Sequence, residues 1–280
     1  MKPITVQVPA TTANLGPGFD VLGVAVQLYN RITLQDSAES WPDSFMGEAA
    51  SLFYQTLNLP PQAFHVGITG EVPRSRGLGS SVTVRLGLLT ALNAFHEFPL
   101  SAEKILRLVI TLEGHPDNAV PAALGGFAAC SEKGWFRTEV DPALTFVALV
   151  PDFEVETKKA RSVLPRDIPL KNAILNLQNT SQIVAAFATR NYSLMKGHFS
   201  DTLHQPYRAP LIPGCMEALA LAGEKGALGA FISGSGSTLM ALTLEEPQSL
   251  VRAWSDLYSS SIEAVHVLKA DNEGVKILPL

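Results

Sequence analysis

The segment 73–83, PRSRGLGSSVT, combines glycines and serines in a pattern that suits phosphate binding. It follows an apolar-alternating stretch at 64–68 and precedes a helical pattern, so it predicts a strand–turn–helix junction. A tight turn that opens a helix points several unpaired backbone N–H groups and the positive end of the helix dipole at one place. The hydroxyls of Ser80 and Ser81 add hydrogen-bond donors or a metal ligand. A phosphate chain fits this arrangement.

A simpler interpretation of the same segment is a serine N-cap after a flexible turn. On local physics the two interpretations are equally good. Two familiar phosphate motifs are excluded, because no Gly-Lys-Ser/Thr triplet occurs in the chain and the glycine spacing differs from that of a dinucleotide fingerprint.

Two other glycine- and serine-rich loops occur, at 14–18 and 233–237. Glycines let a backbone approach a ligand closely, so these loops and the one at 77–81 could converge on one phosphorylated ligand. Each loop taken alone fits an ordinary turn better.

The segment EGHPDN, residues 113–118, holds two acids, a histidine and an amide within six positions. Glu113 ends a predicted helix, where the dipole disfavours a carboxylate unless a cation lies nearby. A Mg²⁺ ion held by one carboxylate and one or two hydroxyls, with phosphate oxygens completing its shell, would be such a cation. The alternative is a solvated helix end, with Pro116 starting the next helix and Asp117 supplying only an N-terminal charge.

Arg161 and Arg208 stand in apolar or proline-rich surroundings. A guanidinium group presents a planar fork that matches a carboxylate. In isolation each arginine fits a surface ion pair better. Five histidines lack partners at ligand spacing and are interpreted as structural: His65, His96, His198, His204 and His266.

The composition describes a well-packed globular protein, with 46% hydrophobic and 17% charged residues in 280. The net charge of −5 argues against a nucleic-acid partner. Two cysteines without metal-ligand spacing, Cys130 and Cys215, suit a reducing compartment. The first 16 residues lack a signal-peptide core, and no apolar run reaches the roughly 18 residues that span a membrane. We therefore expect a cytoplasmic protein without a membrane partner.

Hydrophobic patterns predict the elements that position these segments. In the first half we expect a strand at 4–8 closed by Pro9, a polar loop at 9–20, strands at 21–28 and 32–34, a helix at 45–57, a strand at 64–68, helices at 81–95, after Ser101 and at 119–124, a strand at 127–131, and a turn-rich section at 132–144. In the second half we expect a strand at 145–150, helices at 170–188, 215–224 and 247–258, two strands flanking a loop within 226–238, and a strand at 262–268. This order suits an α+β sandwich with a domain boundary near 145.

Four segments in order carry a resemblance to a known family: PATTANLGPGFDVLGVAV, PRSRGLGSS, EGHPDN and GAFISGSGST. Together they resemble the GHMP kinase superfamily, which uses such loops in place of a Walker motif. TKKAR and PYR-x-x-LIPG, with the NLGPGFDxLGVA and EGHPDN segments, are similar to the homoserine kinase branch. The resemblance covers essentially the whole chain. It departs at Val82, where the family usually has a small residue.

The resemblance implies a two-domain α+β fold. The N-terminal domain, 1–145, would be of the ribosomal protein S5 domain 2 type and bind ATP. The C-terminal domain, 146–280, would be a ferredoxin-like α/β sandwich that contributes to substrate binding. A homodimer is also a family-based expectation.

The resemblance also implies roles for individual residues. The ATP phosphates would lie on the loop Pro73, Arg74, Ser75, Arg76, Gly77, Leu78, Gly79, Ser80, Ser81, Val82 and Thr83. Glu113 and a hydroxyl of Ser80 or Ser81 would hold Mg²⁺, and the candidate catalytic residues are Asn118, Glu113 and Ser81.

L-homoserine would bind across the domain interface. Asn14 and Asp20 would receive its ammonium and Arg161 and Arg208 its carboxylate, while a third group would surround its hydroxyl end or close over it: His115, Asn118, Thr157 and Gly234. Phosphoryl transfer asks mainly for positioning and charge neutralisation, and no residue stands out as a general base. The implied reaction gives O-phospho-L-homoserine, on the route to threonine.

Two alternatives remain open at this point. One is a GHMP kinase for another small alcohol of the mevalonate type, which needs a carboxylate clamp but no ammonium partner. The other is a non-catalytic homologue that senses a metabolite.

Overall fold

The computed structural model describes residues 2–279, and these residues form two antiparallel sheets with helices around them. The first half contains, in chain order, β1 (Ile4–Ala13), β2 (Leu22–Ala38), α1 (Ser44–Leu57), β3 (Ala63–Gly70), α2 (Ser80–Phe95), α3 (Ala102–Glu113), α4 (Ala119–Leu124), β4 (Phe127–Ser131) and β5 (Gly134–Thr138). The second half contains β6 (Thr145–Pro151), α5 (Thr157–Ser162), α6 (Leu170–Thr189), α7 (Gln205–Arg208), α8 (Cys215–Glu224), β7 (Gly229–Ile232), β8 (Leu239–Thr243), α9 (Gln248–Leu257), β9 (Ile262–Leu268) and β10 (Lys276–Ile277), with 3-10 turns at Tyr192–Met195 and Ala209–Leu211.

The first sheet has the order β10-β1-β2-β4-β5, with β3 also paired to β2. The second sheet has the order β7-β8-β6-β9. The mixed helix and sheet content confirms the predicted α+β class. Within the described residues, no helix is both long enough and apolar enough to cross a membrane.

Three hydrophobic clusters stack these elements into layers. The first fills the space between one face of the first sheet and helices α1 to α4, and the second lies between the two sheets. The third fills the space between the second sheet and helices α8 and α9. Strand β6 is buried along its whole length because Phe146 belongs to the second cluster while Val147 belongs to the third. Such two-sided burial explains its continuous apolar sequence.

Strand β1 continues past Pro9, where the sequence predicted its end and a polar loop. A register shift between Pro9 and Ala10 lets the strand continue as a bulge. Val8 belongs to the first cluster and Ala10 to the second, so the side-chain alternation is also reset there. The polar residues after the bulge are buried because they pair with other loops, as described below.

Two further predictions about elements need correction, and one strand was not predicted. The strands expected at 21–28 and 32–34 form one 17-residue strand, β2. The section 132–144, predicted as turns, contains β5, which pairs with β4. Strand β10 was not predicted, because its two residues are too few for a period to be visible.

The proposed division at 145/146 lies one residue inside β6, so it nearly separates the strands of the two sheets, with one exception. Strand β10 returns to the first sheet and pairs with β1 through Val6 and Gln7. The two halves are therefore linked by a final strand as well as by the shared cluster between the sheets.

Candidate active site

The glycine turn at 77–79 leads directly into helix α2. Gly79 is the N-cap residue, in the left-handed conformation with φ of 69°, and no side chain caps the helix. A Cβ atom on Gly79 would lie 2.1 Å from Oγ1 of Thr11, so the turn requires glycine. The serine N-cap interpretation is therefore wrong, and the first-turn amides of α2 remain available for an anion.

The three glycine- and serine-rich loops meet in space. Ser233 Oγ donates to the carbonyl of Gly77 at 2.7 Å and lies 2.8 Å from the hydroxyl of Thr12. The amide of Gly234 donates to the carbonyl of Ala13 at 3.2 Å, and the carbonyl of Gly234 accepts from Nδ2 of Asn14 in the first loop at 2.9 Å. The phosphate-type turn is therefore fixed by residues that are distant from it in sequence.

A cavity of about 530 Å³ lies where these loops converge. The predicted site residues that line it are Asn14, Asp20, Arg74, Ser75, Gly77, Gly79, Ser80, Ser81, Val82, Glu113, His115, Asn118, Thr157, Arg161, Arg208 and Gly234. All residues predicted to bind the metal ion or the amino-acid substrate belong to this set.

Four residues predicted to bind ATP are not among the residues that line the cavity: Pro73, Arg76, Leu78 and Thr83. Arg76 is buried, and its Nε and Nη2 donate to the carbonyls of Pro151 and Asp152 at 2.9 Å each. Its guanidinium group therefore joins the loop to the second sheet and not to the cavity. Leu78 is fully buried, and the Thr83 hydroxyl donates to the carbonyl of Ser80 at 2.8 Å.

Glu113 lies at the C-terminal end of α3 and faces helix α2. Its Oε2 accepts a hydrogen bond from the Ser81 hydroxyl at 2.9 Å. Its Oε1 accepts one from Nη1 of Arg85 at 3.0 Å. The cation that offsets the unfavourable position of this carboxylate in the structure is thus an arginine.

Arg85 was missed by the sequence reasoning. It is buried and also donates to the carbonyl of Leu112 at 2.6 Å and to Glu48 at 2.9 Å, and its guanidinium carbon lies 4.2 Å from the ring centroid of Phe45. The available signal was the single charged residue inside the apolar pattern of α2.

The donor set around Glu113 fits magnesium. Ser80, Ser81 and Glu113 offer hydroxyl and carboxylate oxygens beside the open end of α2. Mg²⁺ prefers oxygen ligands and usually takes few from the protein, leaving positions for phosphate and water.

Asp20 and Arg161, predicted to bind opposite ends of an amino acid, contact each other. Their two hydrogen bonds measure 3.0 and 2.8 Å, and both side chains remain about one-third exposed. The hydrogen bond to Asp20 raises the pKa of Arg161, against the opposing effect of burial. The Asn14 side chain supports the pair, because its Oδ1 accepts from the amide of Asp20 at 3.1 Å.

His115, Asp117 and Asn118 form a connected group beside this pair. His115 Nδ1 lies 2.5 Å from the buried carboxylate of Asp117, and the Thr11 hydroxyl donates to Oδ1 of Asn118 at 2.7 Å. Burial lowers the pKa of His115, but the hydrogen bond to Asp117 and the charges of Asp117 and Asp20 outweigh it, so the pKa lies above its usual value. Asp117 therefore does more than supply a negative charge to the N-terminal end of helix α4, because its carboxylate also pairs with His115.

Arg208 is buried, with 2% of its surface exposed. Its Nε donates to the carbonyl of Ala160 at 3.1 Å and its Nη1 to that of Gly234 at 2.9 Å. Burial and the nearby Arg161 lower the pKa of Arg208 to about 10, which keeps it charged at neutral pH. Phe19, a second residue that sequence reasoning missed, lies with its ring centroid 4.9 Å from the guanidinium of Arg208 and 5.4 Å from that of Arg161.

Part of the cavity lining is apolar. The side chains there come from α1, β3 and α2: Phe45, Met46, Ile68, Val82 and Val84. Val82, where the sequence departs from the expected small residue, is 1% exposed and belongs to the first cluster. Its side chain therefore packs in the core and does not obstruct the turn.

The comparisons with known proteins agree on one family. Residues 44–126 match the model of the GHMP kinases N-terminal domain, and residues 183–260 match that of the GHMP kinases C-terminal domain. A homoserine kinase of Aquifex aeolicus is 36% identical, over 98% of this chain and 99% of its own length.

Solved structures give the same result. A crystal structure of homoserine kinase from Cytophaga hutchinsonii superposes with a TM-score of 0.89 at 27% identity, covering 99% of this chain and 98% of that chain. MDDEF in complex with MVAPP, AMPPCP and magnesium shares the fold, with a TM-score of 0.70 at 15% identity and 99% coverage of both chains. The two-domain fold implied by the sequence is therefore confirmed, and the chain belongs to the homoserine kinases of the GHMP kinase family.

Proposed function

We propose that this chain transfers the γ-phosphoryl group of ATP to the γ-hydroxyl of L-homoserine, giving O-phospho-L-homoserine and ADP. GHMP kinases are ATP-dependent phosphotransferases that act on small molecules, so the donor and the reaction type follow from the family. The choice of acceptor rests on the contact between Asp20 and Arg161.

This ion pair carries the proposal. It presents one charge of each sign side by side at the cavity. The ammonium and carboxylate on the α-carbon of an amino acid carry the complementary charges at the same short separation. An acceptor with a carboxylate alone, such as mevalonate, would leave Asp20 without a substrate partner. Asp20, as a partner for an ammonium group, therefore favours an amino acid as the acceptor.

Arg208 strengthens carboxylate recognition. Its Nε and Nη1 are engaged by carbonyl groups, whereas its Nη2 makes no hydrogen bond within residues 2–279. Arg208 lines the cavity, so an N–H group of Nη2 without a protein partner would gain a charge-assisted hydrogen bond when a carboxylate enters. Asn14 would assist Asp20 with the ammonium, and His115 and Thr157 would lie beside the bound acceptor.

The phosphates would bind at the start of α2. The amides of its first turn and the exposed Arg74 would meet the phosphate oxygens, and the apolar lining residues Phe45 and Ile68 would contact the purine ring. Magnesium would be held by Glu113 and Ser80 or Ser81, and when bound it would neutralise phosphate charge.

Catalysis in this proposal comes from positioning and charge neutralisation. Asp20 is occupied by Arg161 and would be by the substrate ammonium, so we infer that it does not act as a general base. An Asp20→Asn variant should bind homoserine more weakly. Unchanged homoserine affinity with a collapsed turnover would contradict this view of Asp20.

The proposal is tested by coupled ADP release with Mg-ATP and four acceptors: L-homoserine, L-serine, L-threonine and mevalonate. We expect kcat/KM for homoserine to exceed that for the others by at least about tenfold, because serine and threonine carry their hydroxyl one carbon nearer the ammonium. No turnover of homoserine by folded protein, or preference for mevalonate, would overturn the proposal.

A further inference from the structure

The imidazole of His204 lies directly behind Arg208 in the interior of the second half. It is fully buried and comes one helical turn before Arg208, at the start of α7. Its Nε2 lies 2.7 Å from the carbonyl oxygen of Gly16, and its Nδ1 lies 3.3 Å from Nη1 of Arg208. The ring therefore joins the first glycine loop to the arginine that lines the cavity.

These two contacts fix the tautomer of the ring. A carbonyl oxygen only accepts hydrogen bonds, so Nε2 must carry the proton that reaches Gly16. A guanidinium group only donates, so Nδ1 must present its lone pair to Arg208. Burial lowers the pKa of His204, with Asp201 opposing and Arg208 reinforcing that effect, so the ring is neutral at pH 7.

The surroundings hold the ring in this orientation. The carboxylate of Asp201 accepts from the amides of His204 and Gln205 at 2.9 and 2.6 Å. On the other side the ring of Phe19 stacks at a centroid distance of 5.2 Å and an interplanar angle of 28°. His204 Nδ1 is thus a fixed hydrogen-bond acceptor that faces the guanidinium group of Arg208, although His204 does not itself line the cavity.

The hydrogen-bond partners of Arg208 restrict the orientation of its guanidinium group. Nη1 is held by His204 Nδ1 and the Gly234 carbonyl, and Nε by the Ala160 carbonyl. Because Nε and Nη1 together have three acceptors, the guanidinium plane is fixed and Nη2 is the nitrogen left for a ligand.

We propose that His204 is a positioning residue for carboxylate recognition, whose Nδ1 lone pair fixes Arg208 so that Nη2 meets the carboxylate of the amino-acid acceptor. This inference rests on the proposed function. It gives a specific role to a histidine that the sequence pattern left as structural.

Two substitutions separate the two contacts of the ring. His204→Gln can keep a donor near the Nε2 position for Gly16 but loses the acceptor for Arg208. His204→Asn can keep an acceptor near the Nδ1 position but loses the donor for Gly16. We expect His204→Gln to raise the homoserine KM about tenfold, His204→Asn to raise it about threefold, and both to change the ATP KM by less than about twofold. His198→Gln is the matched control, because His198 contacts Asn179 and lies outside the cavity lining.

A double-mutant cycle decides whether His204 acts through Arg208. In an Arg208→Ala background, His204→Gln should raise the homoserine KM by less than about twofold further. A full tenfold effect in that background, or equal KM values for His204→Gln and the wild-type enzyme, would overturn the inference. Homoserine turnover by the wild-type enzyme tests the proposed function separately.

A measurement on the unaltered protein guards against variants that do not fold. Long-range ¹H–¹⁵N correlation spectra should show His204 as the neutral Nε2–H tautomer at pH 7. An Nδ1–H tautomer or a protonated ring would overturn the inference, because neither can accept a hydrogen bond from Arg208.

Discussion

At the scale of single residues, the site is defined by charges that contact one another. Asp20 meets Arg161, and Glu113 meets Arg85. The sequence identified three of these four residues through motifs, but no motif includes Arg85, and pairing across helices leaves no mark in the spacing. Motif reasoning identified charged and polar residues that line the cavity, interpreted His204 only as structural, and missed Arg85 and Phe19, which contact those residues.

Arg208 gives the first prediction. Arg208→Ala should raise the homoserine KM on the order of 10²-fold, because a buried charged hydrogen bond is worth about 3 kcal/mol. Steady-state kinetics at saturating ATP measure the effect, with the exposed Arg166 changed to Ala as the control. A change below about threefold would mean that Arg208 does not bind the carboxylate.

Arg85 gives the second prediction. Arg85→Met leaves Glu113, whose side chain is 8% exposed, without its cation, so the free energy of unfolding should fall by about 3 kcal/mol. Arg107→Met, which breaks an exposed pair with Glu103, should cost less than about 1 kcal/mol. Urea denaturation compares the two variants, and equal losses would contradict the account of Arg85.

His204 gives a prediction about pH. Because its pKa in the folded state is lowered below the value of about 6.5 in the unfolded chain, acid protonates the unfolded state preferentially. The contribution of the neutral His204 ring to the free energy of unfolding is fully present above about pH 6.5 and is lost as pH falls towards the lowered pKa. The slope of unfolding free energy against pH between 5 and 6.5 should therefore be smaller in His204→Gln than in the wild-type protein. Identical slopes would show that His204 is not buried in its neutral form.

At the scale of elements, glycine turns and the polar C-terminal end of β1 determine how the loops contact one another. The helices were largely predictable, since α3 begins after Ser101, whose hydroxyl accepts from the amide of Lys104 as an N-cap. The end of β1 was not predictable, because Thr11 and Thr12 look like loop residues until their hydroxyl partners in Asn118 and Ser233 are known.

The turn before α2 gives the element-scale prediction. Gly79→Ala forces a Cβ into the Thr11 hydroxyl and strains a left-handed residue, so it should destabilise the protein by more than about 1 kcal/mol and weaken ATP binding. Gly223→Ala, in helix α8 with nothing within 4 Å of the new Cβ, should stabilise it by a few tenths to about 1 kcal/mol. Thermal unfolding with and without ATP compares them. A Gly79→Ala variant as stable as Gly223→Ala would contradict the close contact.

At the scale of the whole molecule, the cavity is shared by residues from both halves of the chain. Asn14 and Ser80 come from the first half, and Arg161 and Arg208 from the second. The α+β class could be predicted from periodicity, and the family from four short segments. The return of β10 to the first sheet and the burial between the sheets could not, because contacts between distant segments leave no period in the sequence.

The central claim is that this site joins the γ-phosphoryl group of ATP to the hydroxyl of homoserine. The most direct measurement is ³¹P NMR of the wild-type protein incubated with Mg-ATP and L-homoserine. We predict one phosphomonoester, O-phospho-L-homoserine, formed in equal amount with ADP, and little product from Glu113→Gln. Release of inorganic phosphate without the phosphomonoester, or no reaction by folded protein, would contradict the claim.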